Sequence, residues 1–253
     1  MTIKKPYHRN CRQFVDGHYS EGGRWQYMVH PDYAKSPEHY VRAFLLIQKD
    51  LQTLFDYVEP ADVNMDCYSY RIHELLMRTC MEVEANCKAI LKENIYSKEK
   101  YLNMGDYKKL NVTHGLSSYK VRLPIWDGVS HIRQPFGNWA DNEPLVWYSA
   151  YNSTKHDRHN EFKNANFKNL IDAVCGLLVI LSSQFHTNDF SPGPTLLACE
   201  GGYHNDGMEC AIGDYFRINF PNDWPKEDRY DFNWQNIQDE QHLFQKINYD
   251  EIE

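Results

Sequence analysis

No CxxC pair, no long apolar run, no internal repeat and no excess of positive charge occur in the chain. Each absence excludes something. Seven cysteines, an odd number without paired spacing, argue against a disulfide framework and for a reducing, cytoplasmic setting. Three of them fall in apolar helical stripes, where a free thiol acts as a small hydrophobe. The longest apolar run, Ala173–Leu181, is too short to cross a bilayer, so no membrane association is expected. The opening MTIKKPYHRN lacks the apolar core of a signal peptide. The formal net charge of −8 excludes a general nucleic-acid coater, because phosphate binding needs a positive surface; a local basic site remains open.

What is plentiful is aromatic. The 18 Tyr and 6 Trp point to a Tyr-rich core or to contact surfaces, since each such ring needs only one polar partner when buried. With 253 residues, 42% of them hydrophobic, the chain can bury a sizeable core.

Residues 1–35 show no period and read as an irregular N-terminal segment. A first helix follows, with Ser36 as N-cap and Pro37 in its first turn. Val41, Phe44, Leu45, Leu51, Leu54, Phe55 and Val58 form its apolar face, and Pro60 ends it. A longer helix runs from about Asp66 to about Asn94. Its stripe is Ile72, Leu76, Thr79, Val83, Cys87 and Ile90, with Arg78–Glu82 and Glu84–Lys88 as charge pairs one turn apart. Residues 96–142 read as a long connection with a helical turn near Asp106–Leu110 and a short strand within Ser118–Trp126. A third helix is expected from about Asn142 to about Asn164. A fourth, Asn166–Phe185, is apolar nearly all round and belongs at the centre, with Gly176 serving close packing or merely tolerated. Asp214–Pro221 alternates like a strand. The fold class is therefore mainly α: a single domain whose helical bundle of about four main helices spans 36–186, with an irregular or weakly β extension over 187–253.

The third helix carries the chemistry. Leu145, Tyr148, Ser149, Asn152, His156, His159 and Phe162 recur every three or four residues and so share one face. The ends of that stripe are apolar and its middle is polar. An unpaired amide or imidazole buried there costs roughly 1–3 kcal/mol, so Asn152 and His156 need partners. Glu84 of the second helix is the preferred one, ahead of Glu74 and Arg71. Either the cluster is a satisfied network that fixes helix register, or it lines a cleft and works; a face turned to solvent is the remaining alternative. In a cleft, His156 suits proton transfer near neutral pH. Lys155 and Arg158 suit charge on a phosphoryl oxygen, and Asn152 suits orientation of the substrate. Such a set needs no metal and no cofactor.

This pattern resembles the HEPN superfamily of helical-bundle proteins, in which a late helix carries an Arg, then commonly an Asn, then a His four to six positions after the Arg. Asn152 and His156 match the last two, and RTCMEVEANCKAIL, with Glu84 and Lys88, resembles the acidic earlier helix of some members. The resemblance spans about residues 37–186. It implies a metal-independent ribonuclease, or an RNA- or nucleotide-directed effector of bacterial defence or toxin systems, acting as a homodimer around a shared cleft. The pattern departs at one place: Tyr151 stands where the Arg belongs, which leaves Lys155 or Arg158 to supply the cation. A degenerate member would bind RNA or nucleotide, or serve as a partner subunit, without cutting.

Other constellations are weaker. His8, Cys11, His18 and His30 match no structural zinc spacing. Cys199, His204 and Cys210 flank a Gly-rich stretch without the Lys and Ser or Thr of a phosphate loop. The aromatic tail, with Trp224, Tyr230, Phe232 and Trp234, suggests the alternative function of a non-catalytic module that docks a protein partner through its C-terminal region.

Overall fold

Periodic apolar faces set the frame of the computed structural model, which describes residues 2–190 and 206–252. Helix α1 is Pro37–Phe55, and Val41, Phe44, Leu51 and Leu54 are buried along it. Ser36 has φ +50° and makes no capping bond, so Pro37 alone marks this start. Helix α2, Tyr70–Glu93, is capped by the Ser69 hydroxyl, which accepts from the Ile72 N–H at 3.2 Å. All six residues of its expected stripe are buried. Glu84 and Lys88 pair at 3.2 Å, but Arg78 turns away from Glu82 and pairs with Asp50 of α1.

The connection after α2 holds more structure than a turn. Helix α3 runs from Met104 to His114 because Asn103 and Asp106 form a capping box at its start. Gly115, at φ +60°, ends it in the left-handed conformation that glycine accepts most readily. Strands β1 (Lys120–Arg122) and β2 (Ile132–Arg133) follow. Helices α4 (Val146–His156) and α5 (Arg158–Glu161) come next, then α6 (Phe167–Phe185). Strands β3 (Glu209–Cys210) and β4 (Arg217–Asn219) pair with the earlier ones, in the antiparallel order β2-β1-β4-β3. Val121 sits opposite both Arg133 and Ile218, so the sheet ties the C-terminal extension to the middle of the chain. A short α7, Trp234–Ile237, lies in the tail.

Helix α6 is the axis. By length and composition it is apolar enough to cross a membrane, but 89% of that apolar window is buried inside the fold. Helices α1, α2 and α4 pack around it. Gly176 has a packing role: a Cβ there would stand 3.1 Å from Cζ2 of Trp147, so its absence lets the indole of α4 lie against α6.

The two ends of the chain complete the core together. Ile3 and Phe14 bridge to Tyr230, and Tyr7 bridges to Gln245. Tyr27 packs edge-on against Tyr33, Tyr230 and Phe232. Trp224, Tyr230 and Trp234 are buried. The aromatic tail expected to offer a docking face for a partner is thus consumed inside this chain, where its rings cover the N-terminal segment.

Candidate nucleic-acid interface

The rotational phase of α4 decides what the polar stripe does. Its buried residues are Trp147, Ala150, Tyr151 and Thr154. Ser149, Asn152, His156 and His159 are exposed. The face through Asn152 and His156 therefore points to solvent, and the expectation that it lies between helices is corrected. The reason is size. A Trp or Tyr buries about 150–250 Å², worth several kcal/mol at about 25 cal/mol per Å², whereas Asn and His lose solvation on burial. The helix turns Trp147 and Tyr151 inward. The Trp147 N–H donates to the Pro135 carbonyl at 2.8 Å, so even its polar atom is satisfied.

The expected third helix is also broken. Asp157, at φ −137°, ends α4 and caps α5 by accepting from the Asn160 N–H at 3.2 Å. Asp157 thus serves the backbone, and the break re-aims Arg158 and Phe162.

The groove that results is a surface seam where α2 meets α4 and the residues after it, marked by the contacts of Glu84 with Tyr148, Tyr70 with Arg158 and His73 with Phe162. Along α2 it follows Tyr70, His73, Met77, Glu84 and Lys88, while Cys80 on the same side is fully buried. On the other side stand Tyr148 and Lys155 of α4, Arg158 of α5 and Phe162 after it, with the Tyr151 ring buried. At one end Glu84 is ringed by donors. The Tyr148 hydroxyl donates to its Oε1 at 3.0 Å, and Lys88 donates to Oε2 at 3.2 Å. The Tyr151 hydroxyl also reaches this carboxylate and accepts from Lys155 Nζ at 3.2 Å. Burial first, and then the Glu84 charge, push the Tyr148 and Tyr151 phenols well above their ordinary value, so both remain donors.

At the other end the groove is aromatic and cationic. The Arg158 guanidinium lies over the Tyr70 ring at 5.8 Å. Phe162 packs on Tyr70 at 4.8 Å, on Tyr68 at 5.6 Å and on His73 at 5.7 Å. Tyr68 and Tyr70 nonetheless remain 54% and 66% exposed. Burial, and secondly the Arg158 charge, hold the His73 imidazole below its ordinary value.

Of the five residues expected to form a site, Glu84, Lys155 and Arg158 line this groove. Asn152 and His156 do not; they stand a turn apart on the outer face of α4. Tyr151, at the position of the missing Arg, is buried against Glu84. His73, Tyr70 and Tyr68 carry no signal in the sequence reading, and Phe162 enters it only as the apolar end of the stripe. The signal that finds them is the choice of helix phase by the largest rings: with Trp147 and Tyr151 inside, Tyr148, Lys155 and Arg158 fall beside α2.

Elsewhere, a cleft of about 510 Å³ opens between α1 and α2, lined by Asp50, Tyr57, Arg71, Glu74 and Arg78 among others. Its arginines are already paired, Arg78 with Asp50 and Arg71 with Glu74. His8, Cys11, His18 and His30 do not converge: Cys11 is buried, His18 pairs with Glu21, and His30 stacks edge-on against Trp234. Cys199 and His204 lie outside the described residues. No family model, curated protein or solved structure matches this chain.

Proposed function

We propose that this chain is an RNA-directed protein that holds single-stranded RNA or a nucleotide along the groove between α2 and the α4–α5 corner. One observation carries the reading: an exposed guanidinium over an exposed ring, Arg158 over Tyr70, with the exposed Lys155 on α4 just before the helix break. Single strands are held by this combination, a base on an aromatic face and phosphates on nearby cations. A base would stack on Tyr70 or Tyr68 while Arg158 and Lys155 take the phosphates. Binding of a labelled single-stranded RNA, followed by fluorescence anisotropy, tests it. Tyr70→Ala should lose about 1–3 kcal/mol of affinity, the worth of one stacked base. Arg158→Ala should weaken binding and lower the slope of log affinity against log salt by about 0.7. Equal binding by wild type and both variants ends the proposal.

Metal-independent cleavage is the second reading, favoured by the exposed Asn152 and His156, which make no side-chain hydrogen bond among the described residues. On the outer face of α4 they reach a bound strand only where a second copy brings that face to a shared cleft, so this reading requires a homodimer. RNA cut in EDTA by a dimer, and left intact by His156→Ala, would support it. Cutting by the variant at the wild-type rate would exclude His156.

A further inference from the structure

A second cleft, of about 450 Å³, opens where α2 ends and the chain turns toward α3. That volume suits a small organic ligand. Leu91, Tyr96 and Leu102 give it an apolar wall, Leu91 buried and the other two half-buried. Lys92, Lys98 and Lys100 stand around it with one acid, Glu99. Lys98 is committed, since its Nζ donates to both oxygens of Asp106, at 2.9 and 2.7 Å. Lys92 and Lys100 are exposed and make no ion pair or side-chain hydrogen bond among the described residues. The cleft between α1 and α2 differs on this point, because both of its arginines are paired.

The loop that carries these groups is anchored on two sides. Ser97 donates to Asp250 from its N–H at 3.0 Å and from its hydroxyl at 2.8 Å. The Tyr96 hydroxyl donates to Asp106 at 2.6 Å, and the Asn103 N–H donates to the same carboxylate at 2.7 Å. Between Lys100 and Leu102, Tyr101 holds a φ of +56°. That conformation is strained for a bulky residue and persists where the surroundings over-determine it, commonly beside a ligand. We infer that this cleft binds a small organic phosphate, with its phosphate met by Lys92 and Lys100 and its carbon part set against Leu91, Leu102 and the Tyr96 ring. Lysine meets phosphate as a point charge with rotatable donors, and the two uncommitted lysines outnumber Glu99. The cleft lies about 30 Å along α2 from Tyr70, at about 1.5 Å per residue, so it stands or falls apart from the RNA contact.

Isothermal titration calorimetry at low salt, with phenyl phosphate and with inorganic phosphate, tests the site. Phenyl phosphate should bind saturably and more tightly than inorganic phosphate, because its ring gains the apolar wall. Lys92→Gln and Lys100→Gln should each weaken it about three- to tenfold, and the double variant more than either. Both side chains are exposed, so the variants should melt at the wild-type temperature. Lys49→Gln, which removes an exposed lysine of α1, should leave binding unchanged, and so should Tyr70→Ala. Wild-type affinity in the double variant, equal affinity for the two phosphates, or no saturable binding overturns the inference. A loss in Tyr70→Ala overturns it as well, by moving the ligand to the RNA groove. Phenyl phosphate bound as expected by a protein that ignores RNA would leave this site standing and remove the proposed function.

Discussion

Replacing Gly176 by Ala reads the phase of α4 directly. In an exposed helix interior this change stabilises by about 1 kcal/mol, because Gly costs more backbone entropy than Ala. Here the added methyl meets Trp147 Cζ2 at 3.1 Å, with Cη2 at 3.5 Å and Cε2 at 3.6 Å. The indole must give by a few tenths of an ångström. It is not free to do so: its N–H is bonded to the Pro135 carbonyl at 2.8 Å, and Phe136 packs on it edge-on at 5.9 Å. Overpacking a core costs about 1–3 kcal/mol. The net expectation is a loss of about 0–2 kcal/mol, read by urea denaturation followed by circular dichroism. In a Trp147→Phe background the clash disappears, and the same substitution should stabilise by about 1 kcal/mol. A gain of about 1 kcal/mol in the wild-type background would refute the reasoning. It would mean Trp147 does not lie on α6, and Asn152 and His156 would then be free to face inward.

The remaining expectations concern the carboxylate, the tail and the sheet. Tyr148→Phe removes one donor from Glu84 and should cost about 1–2 kcal/mol, as hydrogen bonds to charged groups do. It should cost almost nothing in a Glu84→Ala background, which leaves no acceptor, and additive losses in that double-mutant cycle would show that the two do not interact. Tyr230→Ala should cost about 3–5 kcal/mol, since this ring is fully buried between Phe14, Tyr27 and Phe232; a mild effect in thermal unfolding would return the tail to the surface. Asp206 is held far below the ordinary carboxylate range, first by the Arg217 hydrogen bonds and also by Arg122. Its contribution is complete above the unfolded-state value and is lost as pH falls toward the lowered native one. Asp206→Asn should therefore reduce stability at neutral pH and flatten its decline on the acid side, measured as urea midpoint against pH. An unchanged acid slope would remove Asp206 from the account.

The helices that were legible in sequence are those whose period survives over many turns. Helix α2 shows its six-residue stripe plainly, and α6 shows its all-round apolarity. The third helix was misread for a local reason. Asp157 interrupts it without Gly or Pro, the usual punctuation, and acts as a cap inside what reads as one continuous polar run. The capping box at Asn103 and Asp106 was present in the sequence and marks the start of α3. Strands β1 and β4 fall inside the two segments that read as strands, whereas β2 and β3 span two residues each, too short for alternation to speak. Arg9 shows what no local pattern reveals. It is fully buried, bonded to Gln184 at 2.9 Å and to the Lys35 carbonyl at 2.7 Å, and paired with Glu93 at 2.8 Å. Its partners come from three distant segments, so only the assembled fold explains a buried guanidinium so near the N-terminus.

The site was half legible because of the geometry of the same error. Reading α4 one residue out of phase rotates its face by about 100°. Lys155 and Arg158 flank His156 closely enough that the wrong face named them anyway. An acidic chain is also compatible with the proposed RNA contact. At physiological ionic strength, charges more than about 8 Å away are largely screened, so the total of −8 matters less at the groove than its nearest groups. Of the acids at this corner, Asp157 accepts from Asn160, and Glu84 is satisfied by Lys88 and two phenol hydroxyls. Lys155 spends one contact on the neutral Tyr151 hydroxyl, and Arg158 lies on a neutral ring. The carboxylate therefore neutralises neither cation outright, and the polar residues of this helix corner leave positive charge uncommitted beside two exposed rings.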